Sequence, residues 1–361
     1  MKKKTSIRDI AAALGVSPAT VSLVLNGKSA SSRISIETQN LVLEKAQQMG
    51  YVHPSKPKTE SCTASSTPTF CMFFPVSRHD YAYAGALERS YAAVMHCKEE
   101  KRLSFNCLLQ PYDLEKIQYV ENMISKKFFD GIIMVGLSNA DLSFLESKDW
   151  DVPIILYNRS SSKFACVLCE EYDSGVTVAK HFFARGHERY GVVRPTLIAQ
   201  NSSLKYSGFV DTILKLGIPR ENITVVSSTL NPEGGYEAAL QLLRAEKKIT
   251  AVFCLDDSII RGLYKGIQQS GLLIPDDIEV VTAGDHGWAN DLVPSVTNIA
   301  PATKECMASC ISFLLQVCQS QSPSEQALLF RSRFFHPAQL ICRESSPLPP
   351  ASLSEGAASC Q

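Results

Sequence analysis

Residues 7–26 read IRDIAAALGVSPATVSLVLN, and their spacing decides the fold of the amino-terminal part of the chain. Ile7, Ile10, Ala11 and Leu14 recur at helical intervals, which predicts a helix over Ile7–Ala13 with one apolar face. Gly15 follows, where a helix can end in the left-handed region at little steric cost. Ser17 offers a hydroxyl N-cap, and Pro18 falls in the first turn, where proline is tolerated, so a second helix should run from Pro18 to about Val24. It should turn Val21 and either Val24 or Leu25 inward and leave Ala19, Thr20, Ser22 and Leu23 partly outward. Two helices around a short glycine-containing turn, with small polar residues opening the second, describe a helix-turn-helix. The plainer alternative is a helical hairpin that only packs.

Outward from this stretch, residues 53–69 (HPSKPKTESCTASSTPT) have three prolines, many Ser and Thr, and no hydrophobic period. They read as a linker. Beyond it short apolar runs alternate with helical stretches. Strands are predicted near Phe70–Phe74, Phe105–Leu109, Gly131–Val135 and Ile154–Leu156, with helices at about Ala84–Lys101, Leu114–Lys127 and Ala140–Ser147 between them. A second series has strands near Tyr190–Val193, Ile223–Val226, Ala251–Cys254 and Ile278–Thr282. Its helices are about Ser174–Arg185, Leu204–Leu216, Gly234–Ala245 and Ser258–Gln269, with Gly186, Gly217 and Gly271 placed as C-terminal caps. This alternation implies parallel sheets covered on both faces, in two consecutive units.

The chain of 361 residues is long enough for two or three domains with sizeable cores, and its formal charge is zero but uneven. Residues 1–60 hold nine Lys/Arg against four Asp/Glu, a balance of +5 that suits phosphate contacts, and the remainder carries −5. The twelve cysteines begin at Cys62 and are scattered; several lie inside apolar runs, where a thiol packs as a small hydrophobe. Cys166 and Cys169 have C-x-x-C spacing, but no second pair or His couple completes a zinc site. No metal or cofactor is expected. No secretory signal or run of membrane-span length is recognised, so a cytoplasmic location with reduced thiols is expected.

The arrangement resembles the LacI/GalR family of bacterial transcriptional regulators. The amino-terminal likeness is carried by Asp9-Ile10-Ala11, Gly15-Val16-Ser17, Ala19-Thr20-Val21-Ser22 and Leu25-Asn26-Gly27, then by Glu37-Thr38 and Met49-Gly50-Tyr51-Val52 as a third helix and its exit. In the core it is carried by Asp130-Gly131-Ile132-Ile133, Gly186-His187, Gly208-Phe209, Asp256-Asp257, Ile274-Pro275-Asp276-Asp277-Ile278 and Leu340-Ile341-Cys342-Arg343-Glu344-Ser345. The resemblance implies a lambda-repressor-like, all-α helix-turn-helix domain over residues 1–52, the linker, and an α/β core over 70–345. That core would be two doubly wound parallel-sheet lobes of the periplasmic-binding-protein type I, joined by three crossing strands that act as a hinge. Lobe 1 would comprise about 70–160 and 297–322, including the apolar helix Met307–Gln316. Lobe 2 would comprise about 162–292 and 327–345, and residues 346–361 would be a disordered tail.

What the resemblance implies about function is sequence-specific DNA binding, most simply as a repressor, modulated by a small-molecule effector such as a sugar in the interlobe cleft. A homodimer on a roughly palindromic operator goes with it. The DNA-contacting residues would be Ser6, Ile7, Ser17, Pro18, Ala19, Thr20, Ser22, Leu23 and Asn26. Relatives commonly carry Arg or His at the position of Leu23; losing such a reader of guanine implies an atypical operator. Two further departures stand out. The stretch Lys28–Ile34 is about three residues longer than usual, and Pro54, Pro57 and the absence of Leu between Leu43 and Leu87 predict that the family's minor-groove hinge helix is absent or much altered. Around the cleft the resemblance places Tyr81, Asn158, Asn201, Lys205, Leu230, Asp256 and Asp285. Lys205 replaces a frequent Arg, a point charge for a planar fork, and Leu230 replaces a frequent aromatic.

Two other classes compete. A solute-binding protein without operator specificity would share the core fold but leave the helix-turn-helix unexplained. An enzyme would need a phosphate loop, a nucleophile elbow or a metal cluster, and none is recognised.

Overall fold

The computed structural model describes residues 7–349 except 26–33, 36–37, 40, 43–44, 47–48, 50–66, 77–81, 197–199, 247, 285–286, 321 and 323–328. The chain divides into two compact units, Met1–Ser66 and Thr67–Gln361.

In the first unit helices α1 (Ile7–Leu14) and α2 (Pro18–Leu25) meet at a bend of 110°, within the range of DNA-binding helix pairs. Gly15 has φ +66° and lets the chain turn out of α1. Ser17 then caps α2, its hydroxyl accepting from the Thr20 backbone N–H at 3.0 Å. Ile10, Ala11, Val21 and Val24 are buried together with Val42 and Ala46, which lie in a further helical stretch. Near the end of α2 Val24 is buried, and the side chain of Leu25 lies outside the described residues.

The second unit contains two six-stranded sheets. Lobe 1 has β1 (Thr69–Val76), β2 (Asn106–Asp113), β3 (Gly131–Val135), β4 (Ile154–Tyr157), β5 (Ala165–Cys169) and β11 (Arg333–His336) in the order β11-β5-β4-β3-β1-β2. Its helices include α3 (Ala82–Glu99), α4 (Asn139–Glu146) and α9 (Thr303–Gln319). Lobe 2 has β6 (Tyr190–Pro195), β7 (Ile223–Ser228), β8 (Ala251–Cys254), β9 (Glu279–Ala283), β10 (Thr297–Ala300) and β12 (Gln339–Ile341) in the order β12-β10-β9-β8-β6-β7. It carries α5 (Glu171–Ala184), α6 (Gln200–Lys215), α7 (Pro232–Leu243) and α8 (Ile260–Gln269). Every strand pair is parallel except β10 with β12. The central strands β1, β3 and β9 read TFCMFFPV, GIIMV and EVVTA and are almost wholly buried, as strands covered by helices on both faces must be.

The chain crosses between sheets after β5, after β10 and between β11 and β12. Helix α9 packs Cys306, Met307, Cys310, Ile311, Phe313 and Leu314 against the β1 face of lobe 1, so the apolar helix does return there.

Several boundaries differ from the sequence expectation. Lobe 2, expected from about residue 162, begins only after β5: the chain turns at 158–164 and β5 comes back to pair with β4 in lobe 1 before the crossing. Residues 297–300, assigned to lobe 1, form β10 beside β9 in lobe 2, and the crossing follows them. Strand β11, assigned to lobe 2, pairs with β5 in lobe 1. The helix expected over Leu114–Lys127 is only a 3-10 turn, Ile117–Met123. There the buried Asp141 carboxylate accepts the backbone N–H groups of Glu115 and Ile117 at 3.2 Å each, a local alternative to helical bonding. Thr69 belongs to β1 rather than the linker, pairing with Asn106. Residue 346 does not begin a frayed tail, because Ser346 is fully buried. Residues 350–361, the segment where the hinge helix is expected to be absent or much altered, and most of the Lys28–Ile34 loop lie outside the described residues.

Candidate functional site

Two places could carry chemistry. On the helix-turn-helix, Ser17, Pro18 and Ala19 are exposed, while Thr20, Ser22 and Leu23 are half-buried on the second helix. The Ser17 and Thr20 hydroxyls also meet at 2.9 Å, so capping fixes both oxygens at the start of α2, where they can still accept or donate outward. Ile7 packs half-buried against the module's core, which makes it a support for this surface as much as a part of it. Ser6 and Asn26 lie outside the described residues.

The second place is a cavity of about 350 Å³ between the lobes. It opens at the carboxyl ends of β1, β3 and β4 on one side and of β6, β8 and β9 on the other, where parallel α/β sheets bind small molecules. Asn158, Asn201, Lys205, Leu230 and Asp256 all line it, so five side chains placed there from the sequence come together. Tyr81 and Asp285 lie outside the described residues; Gly284, next to the latter, lines the cavity.

Five charged lining residues were not placed in the cleft from the sequence: Arg89, Glu115, Arg159, Glu171 and Asp257. Glu171 is the organising group. It begins α5, is nearly buried, and its Oε2 lies 2.8 Å from Lys205 Nζ. Its Oε1 accepts from Asn158 Nδ2 at 2.8 Å. Asn158 in turn uses Oδ1 to accept the Cys169 backbone N–H at 3.1 Å, and holds φ +51°, a left-handed value that asparagine tolerates better than most residues. Glu171 and Lys205 are 34 positions apart, which is why no local pattern announces the pair. The only sequence signal was a second acidic residue at a strand-to-helix junction.

Burial pushes Asp256 up to about 6, with the neighbouring Asp257 carboxylate adding to the rise, while bonds from Ser258 N at 2.9 Å and from its hydroxyl oppose it. Burial acts to lower Lys205, yet the adjacent Glu171 carboxylate outweighs it and holds the ammonium above the ordinary lysine value. Arg89 Nη1 lies 3.5 Å from Asp257 Oδ2. The cavity is therefore a set of fixed donors and acceptors, suited to recognition of a hydrogen-bonding small molecule. Cys166 and Cys169 are buried in β5; Cys169 Sγ lies 3.7 Å from Cys306 Sγ, and no cluster of three or more His, Cys, Asp or Glu fit for a metal occurs among the described residues.

Residues 6–55 match the family model of bacterial regulatory proteins of the lacI family, and residues 179–346 match that of the periplasmic binding protein-like domain. The chain belongs to the LacI family. A curated relative, the HTH-type transcriptional repressor PurR of Actinobacillus pleuropneumoniae, is 25% identical over 342 residues, covering 94% of this chain and 98% of that protein. Among solved structures, a LacI family transcription regulator from Clostridium acetobutylicum has a TM-score of 0.66 at 25% identity, covering 77% of this chain and 100% of the other. A LacI family regulator from Enterococcus faecium, solved with bound ribose, has a TM-score of 0.63 at 20% identity over 78% of this chain and 99% of its own, a likeness of fold. As a LacI family member the chain is a regulatory protein with a DNA-binding module and an effector-binding core, not an enzyme. No single described helix is long and apolar enough to cross a membrane.

Proposed function

We propose that this LacI family protein is a cytoplasmic, homodimeric repressor that reads a roughly palindromic double-stranded operator and whose DNA binding responds to a sugar-like effector in the interlobe cavity. The observation that carries the reading is the convergence of Asn158 from lobe 1 with Asn201, Lys205 and Asp256 from lobe 2 on one cavity of about 350 Å³, a size and chemistry suited to a hydroxyl-rich small molecule. The relative solved with ribose, which shares the fold, supports that class of ligand.

On the DNA side the proposal assigns Ser17, Thr20 and Ser22 to phosphates and base edges, with Pro18 and Ala19 leading into the major groove. Ser6, Ile7, Leu23 and Asn26 complete the surface. Leu23 offers no hydrogen bond, so readout at that position is apolar. On the effector side Tyr81 and Asp285 join the five lining residues. Domain limits follow the two units, with the linker running from about residue 53 to the start of β1. The coupling required between effector and operator is modest, about 1–3 kcal/mol.

Selection of binding sites from random DNA, followed by a screen of sugars and nucleosides for loss or gain of that binding, tests the proposal. Enrichment of a palindromic sequence whose binding shifts with a sugar supports it. If no sequence is enriched above background, or no panel member alters binding to the enriched site, the corresponding half fails.

A further inference from the structure

We propose that Glu171 sets the charge selectivity of the cavity, excluding phosphorylated and carboxylated ligands and admitting uncharged, hydroxyl-bearing ones. The inference rests on the reading of the cavity as the effector site. Among the described lining residues the cations are Arg89, Arg159 and Lys205, and the carboxylates are Glu115, Glu171, Asp256 and Asp257. Two of these cations already have a carboxylate at hand: Asp257 lies 3.5 Å from Arg89 and Glu171 2.8 Å from Lys205, while Arg159 is bonded to Asn139 and keeps its Nε buried without a partner. A cavity that binds an anion ordinarily presents a cation whose counter-charge the ligand supplies. At Arg89 and Lys205 the protein supplies it.

Lys205 is the cation that faces a ligand from lobe 2, and Glu171 blocks its use as an anion receptor for three reasons. Both side chains are largely removed from water, at 15% and 6% exposure, so solvent screens their field weakly. Glu171 cannot swing aside freely, because Asn158 Nδ2 holds its other oxygen at 2.8 Å. The hydrogen-bonding chemistry also points one way. A ligand hydroxyl can accept from the ammonium and donate to the carboxylate at once without adding charge, whereas a carboxylate or a phosphate monoester dianion has no proton to give Glu171, and a hydrogen phosphate dianion has one but brings two negative charges against it.

Inorganic phosphate is a probe that needs no knowledge of the effector. It is titrated calorimetrically into the full-length wild type, into Glu171→Gln, and into the double variant Glu171→Gln/Lys205→Met, all at pH 8. Removing one carboxylate charge while keeping its shape should raise phosphate affinity by roughly tenfold or more. The gain should vanish in the double variant, which assigns it to Lys205 rather than to the basic DNA-binding module. Wild type that binds phosphate through Lys205 as tightly as the single variant overturns the proposal. So does a folded Glu171→Gln protein that gains nothing. Should circular dichroism show that Glu171→Gln does not fold, Glu171→Ala, which removes the carboxylate outright, is read by the same criteria. The effector reading fails independently, by a sugar and nucleoside panel that leaves operator binding unchanged.

Discussion

Arg89 Nη1 and Asp257 Oδ2 stand 3.5 Å apart and link helix α3 of lobe 1 to the turn after β8 of lobe 2 across the cavity that both residues line. Asn158 and Glu171 form a second bond between the lobes, beside the first crossing of the chain. The cavity is thus bridged by two polar links, and a change in either should register in how the lobes close on a ligand. The placement of Asp257 depends on a glycine. Gly284 has φ +118°, and a Cβ there would lie 2.1 Å from Asp257 Oδ2.

Gly284→Ala should therefore displace Asp257, weaken its link to Arg89 and strain the backbone together. The expected loss is at least about 2 kcal/mol of core stability, read from urea unfolding. A variant as stable as wild type would show that the β9 end can relax without moving Asp257.

Replacing Asn158 separates side-chain bonding from backbone conformation. Asn158→Gly keeps the left-handed φ available but removes the bonds to Cys169 N and Glu171 Oε1, one of them to a charged acceptor; a cost of about 2–3 kcal/mol is expected. Asn158→Ala should cost about 1 kcal/mol more, because alanine resists φ +51°. Equal stability of the two variants in denaturant titration would remove the backbone part of this account.

Much of this was legible in the residues. Helical spacing around Gly15 and Ser17 gave α1 and α2, because the capping and turn chemistry is local. Apolar runs such as Gly131–Val135 and Ala251–Cys254 match their strands, since a strand buried on both faces is a continuous apolar run. What stayed hidden was non-local. Arg333–His336 carries no strand signal of its own and becomes β11 because β5 offers it an edge. Glu171, Lys205 and Asn158 meet only once two lobes have folded against each other. The placement of Ser346 is hidden for the same reason: a Ser-Pro-rich stretch reads as frayed until a buried charge network is there to receive it.

The cap on α2 can be tested by itself. Ser17→Ala removes the acceptor for the Thr20 N–H, and a loss of about 1 kcal/mol in local helix stability is expected. Hydrogen exchange across residues 18–25 of the full-length protein should quicken about fivefold, while Ser17→Gly should change it much less. Alanine and glycine variants exchanging alike would mean that the serine hydroxyl does not govern the start of the helix.

The buried ending of the chain makes lobe 2 sensitive to acid. His181 Nε2 lies 2.7 Å from the Ser346 hydroxyl, whose oxygen is 2.6 Å from Glu279 Oε2, and Arg185 Nη1 donates to the Leu348 carbonyl at 3.1 Å. Burial pulls the imidazole of His181 down to about 4 despite the nearby Glu279 carboxylate. Its folded value is below the unfolded one, about 6.5, so between the two the unfolded chain binds more protons. This contribution to stability is complete above about pH 6.5 and is lost progressively as the pH falls toward 4. Burial works to raise Glu279, but the imidazole of His187 3.2 Å away and the bonds from Arg185 and Ser346 outweigh that and hold it at about 2, so its own contribution fades only below about pH 4.5. Urea unfolding at pH 5.0 should accordingly give a core about 2 kcal/mol less stable than at pH 7.5, with most of the difference due to His181. His181→Gln should flatten that dependence while leaving the further decline below pH 4.5 in place. A variant whose stability still falls as steeply between pH 7.5 and 5.0 would place the titrating group elsewhere.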